Sequence, residues 1–286
     1  MIKNKKKPLN KVFTKFRPLI LSRHGSHSPL REKGALGYFP FRSVVRLGST
    51  TNAEADRIEC NSIEGVRNSA NKFRMKNCFT NEKVKTADWW VKNNEGSFVK
   101  ENNPNNITNI SQLPYPIIAK HIYGSRGTGN YKLDTQQELE TWMRDKDMNN
   151  YILEVFVKYF REYRLHITED GCFYTCRKLL KNDAPEGTWQ KHDSVCSWAL
   201  ESNPTFKKPN NWNLIVEDCV KALKSLKLDI GAFDVMVQGS KNGEERDNPK
   251  WNICESASAP SFGEITLQKY KEQIPKILMK KYELQH

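Results

Sequence analysis

The sequence contains no long apolar run. No segment approaches the roughly 20 apolar residues that a membrane-spanning helix needs. The basic start MIKNKKK also leads into no apolar stretch of the kind found in signal peptides. We therefore expect a cytoplasmic protein without a membrane partner.

Paired cysteines are also missing. The chain has 7 cysteines, an odd number, and none forms a CxxC pair; the closest two are Cys172 and Cys176. Structural zinc sites and disulfide frameworks need closely spaced or even-numbered cysteines. We therefore expect buried thiols rather than a zinc centre or a cross-linked scaffold.

Hydrophobic residues are scarce for a folded chain, at 37% of the sequence. The 7 tryptophans, 10 tyrosines and 13 phenylalanines are nevertheless spread along the whole length, which argues against general disorder. A chain of 286 residues is long enough to bury a sizeable core and to divide into two or three lobes. No internal repeat is visible.

Acidic residues are outnumbered by basic ones. The sequence has 33 aspartates and glutamates against 46 lysines and arginines, a formal net charge of +13. An excess of this size favours anionic partners such as nucleotides, nucleic acid or an acidic protein, although it says nothing about the fold. Part of it lies in residues 1–12, which we expect to be a disordered basic tail; an arm that binds nucleic acid is the alternative.

The first lobe is expected over residues 13–105 and has the pattern of an open α/β unit. Short apolar runs at residues 18–22 and 44–46 predict strands that glycine and proline interrupt. Residues 64–79 predict one helix, because their apolar side chains recur at helical spacing. The asparagine-rich segment 102–114 predicts a loop that leads to the second lobe.

The second lobe is expected over residues 106–160. It begins with PIIAKHIYGSRGTGN (residues 116–130), an apolar run followed by a glycine-rich loop. Asp134, with Gln137 three residues later, predicts the capping box of a short helix. A β-rich run follows at residues 151–157, and the combination predicts a small α+β lobe.

The third lobe is expected over residues 161–286. β-rich runs at residues 163–168 and 172–177 predict strands, and a helix with an apolar stripe follows later. Two further strands, DIGAFDVMV and WNICESASAP, are joined by a polar turn. A hairpin of this kind places Asp234 and Glu255 near each other.

The glycine-rich loop of the second lobe suits a phosphate group. Backbone N–H groups in such a turn can point together at an anion because glycine accepts dihedral angles that other residues avoid, and Lys120 adds a point charge. The loop lacks the GK[ST] ending of a P-loop, and no helix follows the glycines directly as a dinucleotide fingerprint requires. Taken alone, the segment also fits a plain glycine-rich hairpin.

The order of these motifs resembles that of the ATP-grasp ligases. The segment NKFRMKNCF looks like the helix with that family's first phosphate-contacting lysine. It is followed by the strand lysine, the glycine loop, the acidic-apolar linker ILEVFV, the charged strand EYRLHI and the two late carboxylates. The resemblance extends over roughly residues 60–270. It implies an α/β fold with an N-terminal α/β lobe, a small α+β lid lobe and a C-terminal metal-binding lobe.

The resemblance also implies an ATP site. Its two lysines would contact the phosphates, and the glycine loop would close over the β- and γ-phosphates. The linker would lie against adenine, with hydrogen bonds from Glu154 and from the backbone of Val155 and Val157, while Glu162 would reach the ribose. The implied nucleotide-binding residues are Lys72, Lys120, Gly124, Ser125, Arg126, Gly127, Thr128, Gly129, Glu154, Val155, Phe156, Val157 and Glu162.

Asp234 and Glu255 are the implied Mg²⁺ ligands. Magnesium needs hard oxygen ligands, usually one or two carboxylates together with phosphate oxygens. Both carboxylates lie within apolar strands, where an unpaired charge would be costly. Arg164 and Arg177 would face the same cleft as catalytic residues and neutralise the charge that develops as the γ-phosphoryl group moves.

Four of these residues have open alternatives. Lys72 also fits an ordinary surface lysine, and Glu162 fits a surface carboxylate paired with Arg164. Arg164 and Arg177, as lone strand arginines, equally fit salt-bridge partners.

The sequence departs from the family at one position. The second carboxylate is usually followed by an asparagine, a further metal ligand, in a pattern like ExNxxPG, whereas the run here is ESASAPSFG and the position is Ala257. Loss of the amide oxygen weakens a second magnesium site unless water, Ser256 or Ser258 replaces it. Reduced or redirected catalysis is one expected consequence.

A second motif points in a different direction. LILSRHGSHS, residues 19–28, contains the RHG pattern of histidine phosphatases. That family also needs a late histidine with an acid, and after His192 only the terminal His286 remains. We therefore expect Arg23 and His24 to line the first lobe and to face the acceptor substrate.

The resemblance implies an ATP-dependent carboxylate–amine ligase. A carboxylate would be activated as an acylphosphate with Mg²⁺ on the phosphates, and an amine would attack it to give an amide, ADP and phosphate. LDIGAFDVMV and ICESASAPSF look closest to the branch of ribosomal-protein glutamate ligase and glutathione synthetase, including stand-alone phage members. Such an enzyme joins amino acids or peptides; residues 182–212 fit either an acceptor-specificity element or a solvated insertion.

The competing hypothesis is a basic ATP-binding module with little ligase activity that docks on nucleic acid or an acidic protein. The net charge of +13 and Ala257 favour it. The retained Asp234, Glu255, Arg164 and Arg177 oppose it.

Overall fold

The computed structural model describes residues 15–23, 28–93, 97–99, 107, 109–125, 127–189, 194–239 and 248–286. The predicted basic tail, Arg126, His24 and His192 lie outside the described residues.

The first sheet is parallel and is built from β1 (Leu19–Ser22), β2 (Ser43–Leu47) and β3 (Ile58–Cys60), in that order. These are the strands that the apolar runs at residues 18–22 and 44–46 predict, together with β3, for which no prediction was made. The long C-terminal helix Glu264–Gln285 packs against this sheet through Tyr270, which is fully buried. The end of the chain therefore completes the core of the first lobe.

The predicted single helix over residues 64–79 is wrong, because the chain forms two helices there. They are α1 (Ile63–Ala70) and α2 (Lys72–Asn81). Asn71 between them is extended, at φ −109° and ψ 116°, and its side chain accepts a hydrogen bond from the backbone N–H of Arg74. The asparagine ends one helix and caps the next, which sets the direction in which Lys72 points.

The second sheet is antiparallel and has the order β5-β4-β8-β6-β7. Its strands are β4 (Trp89–Lys92), β5 (Phe98–Val99), β6 (Ile117–His121), β7 (Asn130–Leu133) and β8 (Tyr151–Val155). Because Trp89 pairs with Glu154, the lid sheet includes strands ahead of the predicted limit at residue 106. The sequence could not show this pairing, because β4 and β8 are distant in the chain and meet only as hydrogen-bonded neighbours in the folded sheet.

The helix of the lid is α3 (Gln136–Met143), and its predicted cap is wrong by one residue. Thr135, not Asp134, is the N-cap residue, and its hydroxyl accepts a hydrogen bond from the Glu138 N–H. The Glu138 carboxylate in turn accepts from the Asp134 N–H at 2.8 Å. Thr135 and Glu138 thus replace the predicted pair of Asp134 and Gln137, and the bonds are not reciprocal, because the Glu138 carboxylate accepts from the residue before the N-cap.

The third sheet has the order β11-β10-β9-β12-β13, with all neighbours antiparallel. Its strands are β9 (Arg161–Thr168), β10 (Gly171–Leu180), β11 (Cys196–Leu200), β12 (Ile230–Val237) and β13 (Trp251–Ala257). One face packs against α4 (Trp212–Ser225), and their shared core includes Tyr163, Ile215 and Phe233. The C-terminal helix Glu264–Gln285 is α5.

None of the helices that the structure describes is both long enough and apolar enough to cross a membrane.

Candidate functional site

A cleft of about 280 Å³ is lined by the lid sheet, the third sheet and the helices α1 and α2. Thirteen of the residues implied as nucleotide-binding, metal-binding or catalytic line it. They are Lys72, Lys120, Gly124, Ser125, Gly127, Glu154, Val155, Phe156, Val157, Glu162, Arg164, Asp234 and Glu255.

The glycine loop between β6 and β7 is folded by its own backbone. Gly129 has φ +77°, and a Cβ atom there would lie 2.8 Å from the His121 Cβ. The Thr128 N–H donates to the Ser125 carbonyl at 3.0 Å, and the Gly129 carbonyl accepts from the His121 N–H. Thr128 and Gly129 therefore build the turn and are not among the residues that line the cleft, so their contact with phosphate stays a prediction.

Lys72 lies at the N-terminus of α2 and connects the loop to the third sheet. Its ammonium donates to the Gly124 carbonyl and is 3.5 Å from the Glu255 carboxylate. Only 8% of the residue is exposed, so the alternative of an ordinary surface lysine is wrong.

Lys120 and Glu154 form the lid cluster with Lys76, which is not among the residues predicted from the sequence. The Glu154 carboxylate has one oxygen 3.0 Å from the Lys120 ammonium and the other 2.8 Å from the Lys76 ammonium. Burial raises the pKa of Glu154, but the two ammonium groups outweigh it and hold the pKa below its ordinary value. Lys76 follows Lys72 by four residues on one helix face, the signal that could have revealed it.

The lid cluster restricts what the linker after β8 can offer to a ligand. Both oxygens of Glu154 have lysine partners, and the residue is only 3% exposed. The Val155 N–H donates to the Asp88 carbonyl at 2.9 Å. The carboxylate and this N–H are therefore engaged, whereas the resemblance assigned Glu154 and the backbone of Val155 to adenine.

The third sheet carries a second charged group, the floor cluster, formed by Glu162, Arg164, Lys178 and Asp234. The Arg164 guanidinium binds Asp234 with two hydrogen bonds, of 2.7 and 2.8 Å. The Lys178 ammonium donates to the Glu162 carboxylate and to Asp234, the latter at 3.1 Å. Burial raises the pKa of Asp234, but Arg164 and Lys178 bring it well below its usual range.

Strand register explains why the floor cluster assembles. Arg164 lies opposite Asp234, and Glu162 lies opposite Lys178, so all four side chains share one face of the sheet. Asp234 also lies opposite Glu255 on β13, as the sequence predicts. Glu162 is 4% exposed and is paired with Lys178, so its alternative as a surface carboxylate paired with Arg164 is wrong.

The predicted position of Arg177 in the cleft is wrong. Arg177 lies opposite Tyr163 on β10, on the face that packs toward α4, and its guanidinium donates to the Thr205 carbonyl. Its neighbour Lys178 faces the cleft instead. Successive residues of a strand point to opposite faces, and a bulge between Cys172 and Tyr174 shifts that alternation along β10.

The segment 182–212 fits two interpretations in the sequence, an acceptor-specificity element or a solvated insertion. Its residues 196–200 form β11, the edge strand of the third sheet next to β10. The Trp198 indole lies below the Arg164 guanidinium at 4.9 Å and the Lys178 ammonium at 5.4 Å. Trp189 from the same segment lines the cleft and contacts Phe156 edge to face. A purely solvated insertion is therefore wrong for this part of the segment.

The pair Asp234 and Glu255 fits one magnesium ion. Both are hard oxygen donors, face each other across two strands and line the cleft. Among the residues that the structure describes, no group of three or more His, Cys, Asp and Glu side chains could hold a metal. The remaining ligands of such an ion would have to come from the nucleotide and from water.

The first lobe contributes Arg23 to the cleft. It follows β1 directly, and its N–H donates to the Leu47 carbonyl at 3.0 Å. Arg23 and residues 257–261, which include the last residue of β13 and the four after it, all line the cleft. That Arg23 faces a second substrate stays a prediction.

Similar structures have been solved for several ligases. D-alanine–D-alanine ligase from Bacillus anthracis matches at TM-score 0.52 and 15% identity, over 78% of this chain and 69% of that one. The ATP-grasp ligase PsnB, complexed with a minimal precursor, matches at 0.50 and 11%, over 79% and 65%. A biotin carboxylase–βγ-ATP complex from Campylobacter jejuni matches at 0.57 and 14%, over 82% and 54%.

The chain thus spans about half to two-thirds of the length of these proteins. No protein-family profile matches the sequence, and no curated protein sequence matches it. At identities this low the likeness concerns the fold alone, and with the three sheets and the cleft described above it shows that the chain has the ATP-grasp fold.

Proposed function

We propose that the protein is an ATP-dependent ligase that activates a carboxylate and joins it to an amine. The observation that carries this proposal is the composition of one cleft. It combines a glycine loop, two lysines from different elements, and the facing carboxylates Asp234 and Glu255. A triphosphate with a divalent cation complements such a set of charges.

In this proposal each group of residues has a distinct task. Lys72 and Lys120, with the N–H groups of the glycine loop, bind phosphate oxygens. Val155, Phe156 and Val157 form the apolar wall for adenine, because they line the cleft at the end of β8 and directly after it. Bound magnesium, held by Asp234 and Glu255, would screen charge on the phosphates.

Arg164 and Lys178 would stabilise the charge that develops during transfer of the γ-phosphoryl group. Both cations line the cleft next to Asp234 and are held in place before substrate arrives. Preorganised charges of this kind lower the barrier without reorganisation at the moment of reaction. The carboxylate oxygen of the substrate attacks the γ-phosphorus and ADP leaves; the amine then attacks the carbonyl carbon and phosphate leaves.

The acceptor and donor are proposed to be amino acids or peptides. This rests on the resemblance of the β12 and β13 sequences to the glutamate-ligase and glutathione-synthetase branch. Two of the similar structures described above are ligases, one of them for D-alanine and one with a bound precursor. Arg23, at the edge of the cleft, is the residue that we expect to bind a substrate carboxylate.

Hydroxylamine trapping tests this reaction class. The protein would be incubated with Mg·ATP, hydroxylamine and single amino acids or dipeptides, and hydroxamate and ADP would be measured together. We expect equal amounts of both products for at least one carboxylate and neither product for Glu255→Gln.

The matched control is Glu64→Gln, which removes an exposed carboxylate in a surface ion pair with Lys227 and should leave both products unchanged. ATP binding without ADP release across the whole panel would contradict the ligase proposal and favour an ATP-binding module.

A further inference from the structure

The metal end of the cleft has few oxygen ligands. This inference rests on the proposed binding of Mg·ATP and concerns how many ions accompany the nucleotide. Ala257 lines the cleft where the resemblance predicts an asparagine amide. The Ser256 hydroxyl, a candidate replacement, donates to the Ser69 hydroxyl at 3.0 Å. Asp234 and Glu255 thus remain as the two protein carboxylates that face each other there.

Asp234 has little capacity left for metals. A carboxylate offers about four lone-pair positions for hydrogen bonds or metal contacts. Asp234 already accepts two contacts from Arg164 and one from Lys178. One metal contact can be added without displacing a cation, whereas bridging two ions would require Lys178 to leave.

Lys178 is held between two carboxylates, as a bound metal cation would be. Its ammonium lies between the Glu162 and Asp234 carboxylates, and only 8% of the residue is exposed. The Trp198 indole covers it at 5.4 Å.

The charges that line the cleft favour an anionic ligand. Among the described lining residues, the basic side chains are Arg23, Lys72, Lys120, Arg164 and Lys178, and the acidic ones are Glu154, Glu162, Asp234 and Glu255. The basic groups exceed the acidic ones by one. ATP with one magnesium ion is still an anion, whereas ATP with two is neutral, so the first complements the cleft better.

We propose that the cleft binds ATP with a single magnesium ion, held by Asp234 and Glu255, and that the Lys178 ammonium takes the charge-neutralising place of a second ion.

Counting bound metal tests the proposal. Mn²⁺ prefers the same hard oxygen ligands as Mg²⁺ and is detected directly. The protein would be saturated with Mn²⁺ and the β,γ-imido analogue of ATP and passed through a column equilibrated with both. Excess manganese and nucleotide in the protein peak would then be measured. We expect one manganese per bound nucleotide in the wild type.

Three variants make the lysine's role measurable. Ala257→Asn alone should still bind one manganese per nucleotide, because Lys178 remains in place. Ala257→Asn combined with Lys178→Met should bind two, a twofold rise, because the amide is added and the cation is removed. Ala257→Asn with Lys178→Arg should return to one, since the positive charge is restored.

One control variant changes a lysine outside the cleft. Lys269→Met, which removes a surface lysine paired with Glu272 on α5, should leave the ratio at one. Two manganese ions per nucleotide in the wild type or in Ala257→Asn would overturn the inference, even if the double variant with methionine fails to fold. A ratio of one in a folded Ala257→Asn, Lys178→Met variant would overturn the role of the lysine.

Failure of the proposed function would give a different result in the same column experiment. If no nucleotide accompanies the protein at any metal concentration, the ATP site itself is contradicted, and the single-ion inference falls with it. A bound nucleotide with the wrong metal ratio contradicts only the inference.

Discussion

The lid cluster and the floor cluster both bury a carboxylate between two cations, yet they differ in what the cations can reach. In the lid cluster, Glu154 joins Lys120 of the lid sheet to Lys76 of α2, and all three are almost fully buried. In the floor cluster, the Arg164 side chain is 22% exposed and faces the cleft with Lys178. The same arrangement of charges thus joins two elements across a buried contact in the lid cluster, where Lys120 but not Lys76 lines the cleft, and presents both of its cations to the cleft in the floor cluster.

Burial decides between these roles. A buried ion pair contributes little net stability compared with apolar packing, but removal of one partner leaves an uncompensated charge. In the lid cluster that penalty falls on the contact between α2 and the lid sheet. In the floor cluster the Arg164 side chain, which is partly exposed and lines the cleft, can exchange a carboxylate contact for a phosphate oxygen.

The largest effect is expected for Glu154→Gln. The substitution leaves Lys76 and Lys120 without their shared counter-ion and should lower the free energy of unfolding by about 3–5 kcal/mol. Chemical denaturation would measure it. The exposed-pair control Glu64→Gln should stay within about 0.5 kcal/mol. A loss below about 1 kcal/mol for Glu154→Gln would show that the lid cluster does not hold these elements together.

An intermediate effect is expected from pH, through His166. This residue lies two positions after Arg164 on β9, and its Nδ1 is 3.1 Å from the Tyr270 hydroxyl. Burial, helped by Arg164, lowers the pKa of His166 from 6.5 to about 3. The unfolded chain therefore binds the proton more readily, and stability should fall as pH drops from 6.5 toward 3.

Between pH 6.5 and 4.5 this loss amounts to about 2.3 kcal/mol, because the unfolded histidine is already half protonated at pH 6.5 and the full slope of about 1.36 kcal/mol per pH unit is reached only at lower pH. Denaturation at a series of pH values would measure it, with His166→Gln as the non-titrating comparison. Aspartate and glutamate groups titrate mostly below this window. Equal slopes for the two proteins would mean that His166 is not held neutral beside the floor cluster.

The smallest effect is expected for Arg177→Met. Arg177 is adjacent to Lys178 in sequence but lies on the opposite face of β10, so the affinity for Mg·ATP should change by less than about twofold. Calorimetric titration with the β,γ-imido analogue would measure it. A tenfold loss of affinity would place Arg177 in the site after all and would restore the prediction made from the sequence.

Local patterns in the sequence predicted much of this fold, and long-range pairings account for what they missed. The apolar strands β12 and β13 each contain one acid, so their hairpin brought Asp234 opposite Glu255 as expected. Lys76 escaped notice because its partner Glu154 is distant in sequence and meets it only across the fold. Arg177 and Lys178 are adjacent and both cationic, so the sequence alone does not show which of them faces the cleft. The bulge earlier in β10 sets the alternation that places Lys178 there.

The most direct test of the account is thermal unfolding with and without Mg·ATP for the wild type, Lys120→Ala and Glu255→Gln. A ligand at 100 times its Kd stabilises the native state by about 2.7 kcal/mol. We predict a clear rise in Tm for the wild type that requires magnesium and is lost in both variants. No rise in the wild type at millimolar Mg·ATP would contradict the assignment of this cleft as a nucleotide site.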